Sequence, residues 1–307
     1  MRTFRLIGMA LIAVMTCANF TACSSDDDEV IKDDDGVVTS EKKLVEMKES
    51  YDSKDDVHVD VMTFSYDGKG KLITVVQKCS DDNSSNITNI TWGENTFKES
   101  SNGESITYSV NDGLVRTGSE SDGRNYSFAY NSSKQLTTYQ YGDKNDDTTT
   151  RTLTWDNGKV TKMTYEKDEP STITYGNQTC KGYFPLMVLM VEDDFKAMLA
   201  HPELIGMRAT QLPSQTYSKY VQKGEHYDDY FKETYKYENI KEETTKFTYK
   251  LTTDGYVESV TMEETDIETY KYSFQDKNGD GKISDDERDI TDTHTDTYTT
   301  TYTFKWE

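Results

Sequence analysis

The sequence contains 307 residues, with 56 acidic against 34 basic side chains and a formal net charge of −22. A chain this acidic would be repelled by phosphate backbones, which argues against nucleic acid as a partner and favours divalent cations. Its 22 tyrosines and only four prolines are not the composition of a disordered protein, and its length suffices for one large β domain or two smaller ones.

The first 22 residues have the features of a secretion signal that is removed from the mature chain. Arg2 and Arg5 precede the apolar run LIGMALIAV, which is too short to cross a bilayer, where about 20 apolar residues are needed. Ala22 before Cys23 resembles the lipobox of bacterial lipoproteins, which implies that Cys23 carries the lipid. Cys17 is a weaker alternative, because Thr16 precedes it, and ordinary secretion with cleavage elsewhere is the other interpretation.

Residues 23–50 are predicted to be a lipidated, flexible acidic tether. The run SSDDDE directly after Cys23 resembles the export signal of surface lipoproteins in Bacteroidetes-type bacteria. Charge-rich, aromatic-poor segments of this kind are usually extended and solvated. The expected location is therefore the outer membrane, with the lipid as the membrane contact and the protein exposed at the cell surface.

Residues 51–307 are predicted to form an all-β domain, a large antiparallel β-meander of long hairpins. Alternating strands that flank a tight turn recur in five segments, at 61–77, 106–120, 126–141, 151–166 and 247–263. Period-two alternation places one side-chain set on each face of a strand. Four of the turns contain Asp-Gly or Asn-Gly, which supply the positive φ that hairpin turns require.

The hairpins resemble the tyrosine–aspartate repeats of large bacterial shell and toxin proteins. Together with the lipobox, they are more similar to uncharacterised lipoproteins of gut Bacteroidetes with a porin-like β fold. That resemblance implies an architecture and a location, but no activity. In 290–307 one face is almost entirely threonine and the other includes Asp292, His294 and Asp296. Neither face suits lipid along its length, so we expect a strongly curved sheet or a water-soluble barrel.

A helical insertion is predicted at about 183–206, where the β pattern is interrupted by the most apolar stretch of the mature chain. Pro185 suits a first helical turn, although Asp193 or Asp194 could instead cap a shorter helix. Pro202 and Gly206 are expected to end it. The insertion is predicted to plug or cover the open face of the sheet, with docking to a membrane or a partner as the alternative.

Cys79 and Cys180 remain once Cys17 leaves with the signal and Cys23 takes the lipid. In an oxidising compartment a disulfide between them could contribute about 4–5 kcal/mol in the chain-entropy model. Nothing in the sequence shows that the two residues meet, and two buried thiols fit equally well.

The segment 276–287, DKNGDGKISDDE, has the residue types of an EF-hand calcium loop at the required offsets. Such a loop needs oxygen ligands at positions 1, 3 and 5, a glycine at 6, a backbone carbonyl at 7 and a bidentate Glu at 12. The predicted calcium ligands are Asp276, Asn278, Asp280, the carbonyl of Lys282, Ser284 through a water molecule, and Glu287. Strand-like sequences flank the loop, so we expect calcium to brace a hairpin tip.

No motif of a hydrolase or nucleotide-binding site stands out. The four histidines have no metal-binding spacing, and His58 and His294 are expected to be ordinary half-exposed residues of alternating strands. The favoured function is a non-enzymatic surface lipoprotein that binds a glycan or an envelope protein, or supports the envelope structurally. The alternative is a glycan-binding accessory protein or a calcium-stabilised glycoside hydrolase.

Overall fold

The computed structural model describes residues 30–32, 38–53, 56–80, 84–142, 148–166, 169–184, 195–228, 233–274 and 290–307. The strands are β1 (Val30–Lys32), β2 (Val38–Ser40), β3 (Leu44–Ser53), β4 (Asp56–Tyr66), β5 (Leu72–Cys79), β6 (Ser85–Trp92), β7 (Thr96–Ser101), β8 (Glu104–Asn111), β9 (Leu114–Glu120), β10 (Asn125–Tyr130), β11 (Leu136–Gly142), β12 (Thr149–Asp156), β13 (Lys159–Tyr165), β14 (Ser171–Phe184), β15 (Ala209–Asp228), β16 (Glu233–Leu251), β17 (Val257–Phe274) and β18 (Ile290–Trp306). A short helix, α1 (Lys196–Ala200), and a 3-10 helix (Pro202–Ile205) lie between β14 and β15.

Within the described residues, sixteen strands close into one antiparallel barrel. Each strand from β3 to β18 pairs with the next one along the chain, and β18 returns to pair with β3 from Thr299↔Asp52 to Trp306↔Leu44. Just before β3 and just after β18, Lys43 and Glu307 exchange two backbone hydrogen bonds, at 2.7 and 3.0 Å. The predicted all-β meander is confirmed, and the choice between a curved sheet and a barrel is resolved in favour of a closed barrel.

The tight turns are formed by the residue types that the sequence indicates. Asn157 and Gly158 both have positive φ, at 49° and 73°, between the paired strands β12 and β13. Asp112 and Gly113 do the same between β8 and β9. These turns, the start of β3 and the end of β18 all lie at the same end of the barrel, which we call the turn end. Strand β17 ends and strand β18 begins at the opposite end, which we call the open end.

The barrel begins earlier in the chain than predicted. The predicted boundary at residue 50 falls inside strand β3, which spans Leu44–Ser53 of the barrel wall. Leu44 is completely buried and Met47 almost so, and β3 pairs with β18 and β4 along its length. This strand is rich in charge because much of it faces solvent. Its sequence therefore resembles the acidic segment that precedes it. Further upstream, β1 and β2 pair with each other.

The described part of the insertion is a short helical segment at the turn end. Tyr183 and Phe184 still belong to β14, and the helix α1 spans only Lys196–Ala200 before Pro202 starts the 3-10 helix. Proline cannot continue a preceding helix without losing a hydrogen bond. Residues 185–194, with the proposed start at Pro185 and caps at Asp193 or Asp194, lie outside the described residues. Among the described residues, no helix is long and apolar enough to cross a membrane.

Candidate functional site in the barrel interior

The insertion fills the turn end of the barrel interior. Phe195 is 2% exposed, and its ring centroid lies 5.4 Å from that of Tyr126, 5.5 Å from Tyr139, 6.0 Å from Phe128 and 6.2 Å from Tyr108. Three of these pairs meet edge to face, a preferred arrangement of aromatic rings. We call the described segment from Phe195 to Ile205 the plug, because it occupies the space between the barrel walls.

Polar contacts fix the plug to the wall on β6 and β7. The Lys196 ammonium donates to the Thr88 hydroxyl at 3.2 Å, and the backbone N–H of Ala197 donates to Oε1 of Glu99 at 2.7 Å. Lys196, Thr88 and Glu99 are all buried. A hydrogen bond to a charged group is stronger than one between neutral groups. The plug is therefore held in one orientation, with Phe195 directed into the aromatic cluster.

A polar cavity of about 150 Å³ borders the plug on its open-end side. Lys196 and Glu99 line it, together with Glu120 and Arg124 near the β9–β10 turn. Nε of Arg124 lies 2.9 Å from Oε2 of Glu120. Burial raises the pKa of Glu120, although its hydrogen bond with Tyr126 and the charge of Arg124 oppose that shift. The cavity thus offers both charge signs to a polar ligand.

A group of carboxylates lies on the inner face of β16 and β17. Glu243 and Asp266 face each other across the ladder, and Glu264 lies two residues before Asp266. Lys241 forms ion pairs with Glu243 and with Asp266, the latter at 3.4 Å. Burial raises the pKa of Glu264 to about 8, and the charges of Asp266 and Glu243 add to the shift. Glu264 is therefore largely protonated at neutral pH.

The two cysteines do not form a disulfide. Cys79 is the last residue of β5, and Cys180 lies on β14, which is not a neighbour of β5 in the barrel. The Cys180 thiol is directed to the carbonyl of Ala209 at 3.8 Å. Burial raises the pKa of Cys180 to about 12, so that this thiol stays protonated. Cys79 instead lies beside His58 and Asp60, where one ligand atom of each lies within 4.8 Å of the others.

The other predicted site residues lie outside the described part of the chain. These are Cys23 and the calcium ligands Asp276, Asn278, Asp280, Lys282, Ser284 and Glu287. The flanks of the loop are described, and they pair as β17 and β18 up to Tyr272↔Ile290. The strands on either side of the loop are therefore paired neighbours, and the calcium ligands remain a prediction.

The interior polar groups were not identified from the sequence. His58 was expected to be an ordinary strand residue, yet it shares a barrel face with the buried Asp60 and Met62. The signal was present in the period-two spacing of 58, 60, 62 and 64, since Met62 and Phe64 are clearly core residues. The carboxylates of β16 and β17 gave no comparable signal, because both faces of those strands are polar in sequence.

The fold has a counterpart among solved structures. The crystal structure of a porin-like protein from Bacteroides uniformis matches with a TM-score of 0.54 and 17% sequence identity, and the match covers 85% of this chain and 98% of that chain. No protein-family model matches the sequence, and no curated protein matches it significantly. At this level of identity the likeness shows a shared porin-like barrel fold.

Proposed function

We propose that the protein is a non-enzymatic envelope lipoprotein: a plugged, water-facing barrel that is tethered to the outer membrane through Cys23 and exposed at the cell surface. It would bind a glycan or an envelope protein, or support the envelope structurally. The plug is the observation that carries this proposal. Phe195 packs against Tyr126 and Tyr139 inside the barrel, which suits a binding or structural barrel better than an open pore.

The outer surface supports a barrel that faces water. On β16 the side chains that alternate with the buried Thr245 and Phe247 include the ionic and hydroxyl groups of Thr244, Lys246 and Thr248. Charged pairs such as Lys250–Glu258, at 2.7 Å, lie at the exposed surface. A lipid-facing barrel would present an apolar band about 25 Å tall instead. The proposed membrane contact is therefore the lipid alone.

The position of the N-terminus supports a defined orientation. The chain enters the barrel at Leu44, at the turn end, so a lipid on Cys23 would hold that end towards the membrane. The open end, with the acidic inner face and the loop 276–287, would face away from it. In this orientation a ligand from the surroundings meets the open end first.

Calcium is proposed as a structural ion at the tip of the β17–β18 hairpin. The predicted ligands Asp276, Asp280 and Glu287 would repel one another without a cation. At 100 times its dissociation constant, an ion that binds only the folded chain adds about 2.7 kcal/mol to stability. The ion would brace the connection between β17 and β18, two strands of 18 and 17 residues.

Cell fractionation tests the proposed anchoring. In the native cell the wild-type protein should fractionate with the outer membrane and be cleaved by protease added to intact cells. A Cys23→Ala variant should leave the membrane fraction without detergent. If that variant stays in the membrane, the barrel itself spans the bilayer and the proposal is wrong. A glycan array on the purified protein then separates glycan binding from a structural role.

The second candidate is a calcium-stabilised glycoside hydrolase, which the protonated Glu264 beside Asp266 favours. Retaining and inverting glycosidases use one protonated and one ionised carboxyl group. Hydrolysis of a polysaccharide panel that is abolished in Glu264→Gln but not in the exposed control Glu258→Gln would establish this function. Turnover that is equal in both variants, or absent from the wild type, would reject it.

A further inference from the structure

We propose that His58, Asp60 and Cys79 form a binding site for a zinc-type divalent transition-metal ion on the inner wall of the barrel. Each residue offers one ligand atom, an imidazole nitrogen, a carboxylate oxygen and a thiol sulfur, and the three atoms lie within 4.8 Å of one another. This arrangement is independent of the predicted calcium loop, which belongs to the connection between β17 and β18.

Strand register brings the three residues together. Asp60 on β4 pairs directly with Cys79 on β5, and His58 lies two residues before Asp60 on the same face. The end of this ladder is fixed by hydrogen bonds between Val59 and Ser80 in both directions, from the Val59 N–H to the Ser80 hydroxyl at 2.9 Å and from the Ser80 N–H to the Val59 carbonyl at 3.0 Å. The ligands are therefore carried by paired strands, which give a site more precision than loops.

The surroundings of Asp60 independently favour a bound cation. Its side chain is only 3% exposed, and neither carboxylate oxygen accepts a hydrogen bond from a described residue. Nε2 of His58 lies 3.2 Å from Oδ1 of Asp60, but the contact does not have hydrogen-bond geometry. A buried carboxylate without hydrogen bonds is costly. A metal ion bound to that oxygen would remove the cost.

The ligand types select the metal. Calcium and magnesium take oxygen ligands, whereas thiolate and imidazole suit zinc and its neighbours in the transition series. Three protein ligands would leave the fourth tetrahedral position open to water or another small ligand. Glu49 faces Asp60 across the β3–β4 ladder and accepts a hydrogen bond from the Tyr302 hydroxyl at 2.8 Å. Its carboxylate is not one of the three clustered ligand atoms.

Titration of the purified, metal-stripped protein with Co²⁺ and with Zn²⁺ tests the site, with calcium present in excess so that the loop 276–287 is occupied. Bound Co²⁺ should produce a thiolate-to-metal charge-transfer band. One equivalent of Zn²⁺ should displace the Co²⁺ and remove the band. Cys79→Ser should abolish the band and weaken Zn²⁺ binding more than tenfold. Cys180→Ser, the matched control, should change neither. A band that persists in Cys79→Ser, or that disappears in Cys180→Ser, would overturn the assignment.

A measurement on the wild-type chain covers the case in which Cys79→Ser does not fold. Alkylation is followed by mass spectrometry of the peptide that contains Cys79, with and without Zn²⁺. Bound metal should slow modification of Cys79 more than tenfold, while the rate at Cys180 is unchanged. Equal rates at Cys79 in both conditions would show that its thiol is not a ligand, and the proposal would be rejected.

Discussion

Truncation of Phe195 tests whether the plug stabilises the barrel. The ring is 2% exposed and lies against four aromatic side chains at 5.4 to 6.2 Å. Removal of a buried Phe side chain costs about 3–5 kcal/mol through lost burial and the cavity that remains. Each well-oriented aromatic pair contributes about 0.5–1.5 kcal/mol beyond its area, so we expect the upper part of that range for Phe195→Ala.

Urea unfolding followed by tryptophan fluorescence is a suitable assay, since Trp92, Trp155 and Trp306 all lie on barrel strands. The midpoint should fall in Phe195→Ala while the slope of the free energy with urea stays constant. Tyr220→Ala is the matched control, because Tyr220 is 48% exposed, and it should change stability by less than about 0.5 kcal/mol. A change that small in Phe195→Ala would mean that the ring does not pack inside the barrel.

Three further predictions concern other parts of the chain. Gly118→Val should destabilise the barrel by about 1–3 kcal/mol, because even a Cβ at Gly118 would lie 2.9 Å from the ring of Tyr108; an unchanged melting temperature would contradict this. The pKa of Glu264 rises from 4.5 in the unfolded chain to about 8 in the folded chain. Between these pH values the folded chain binds the extra proton, so the free energy of unfolding should decline as pH rises, by up to roughly 5 kcal/mol. Urea unfolding at pH 5 and pH 9 should show a smaller decline in Glu264→Gln, and equal declines would refute the assignment. Calcium chelation should lower the melting temperature of the wild type but not of Asp276→Ala, and an identical wild-type curve with and without chelator would exclude the structural calcium site.

The hairpins were predictable because the alternation of side chains and the turn residues both indicated them. Alternation around turns such as Asn157-Gly158 specifies both the strand faces and the reversal of the chain. Closure was not predictable in the same way, since the seam joins β3 to β18 over about 250 residues of separation, and no local pattern encodes that pairing. Residues 44–50 of β3 were assigned to the tether because they are rich in charge and poor in aromatic residues, although Leu44 and Met47 belong to the core.

The interior site was harder to predict than the fold. Period-two alternation identifies an inner face only where that face is apolar, as for Met62 and Phe64. On β16 and β17 the inner residues Glu243, Glu264 and Asp266 alternate with outer residues that are equally polar. The register between neighbouring strands then decides which acidic groups share a face and which face is inside. The sequence of a single strand does not carry that information.

The four strands β15–β18 are 20, 19, 18 and 17 residues long, and they continue past the point where their barrel neighbours stop. The described pairing of β15 with β14 ends at Tyr217, and that of β18 with β3 ends at Asp52↔Thr299. Beyond that level the described strands form a projecting ribbon that rises about 30 Å.

The ribbon has consequences that a closed barrel avoids. In the described part of the chain, the side chains of β15 from 219 to 223 and of β18 from 291 to 295 are exposed, which explains why neither face of β18 is apolar between Asp292 and Asp296. Each edge, on β15 beyond Tyr217 and on β18 before Thr299, presents backbone groups that another strand could pair with. Lys223 on one edge strand and the acidic residues on the other are the charged side chains that discourage such pairing. Neutral substitutions there would favour edge-to-edge pairing between copies of the barrel.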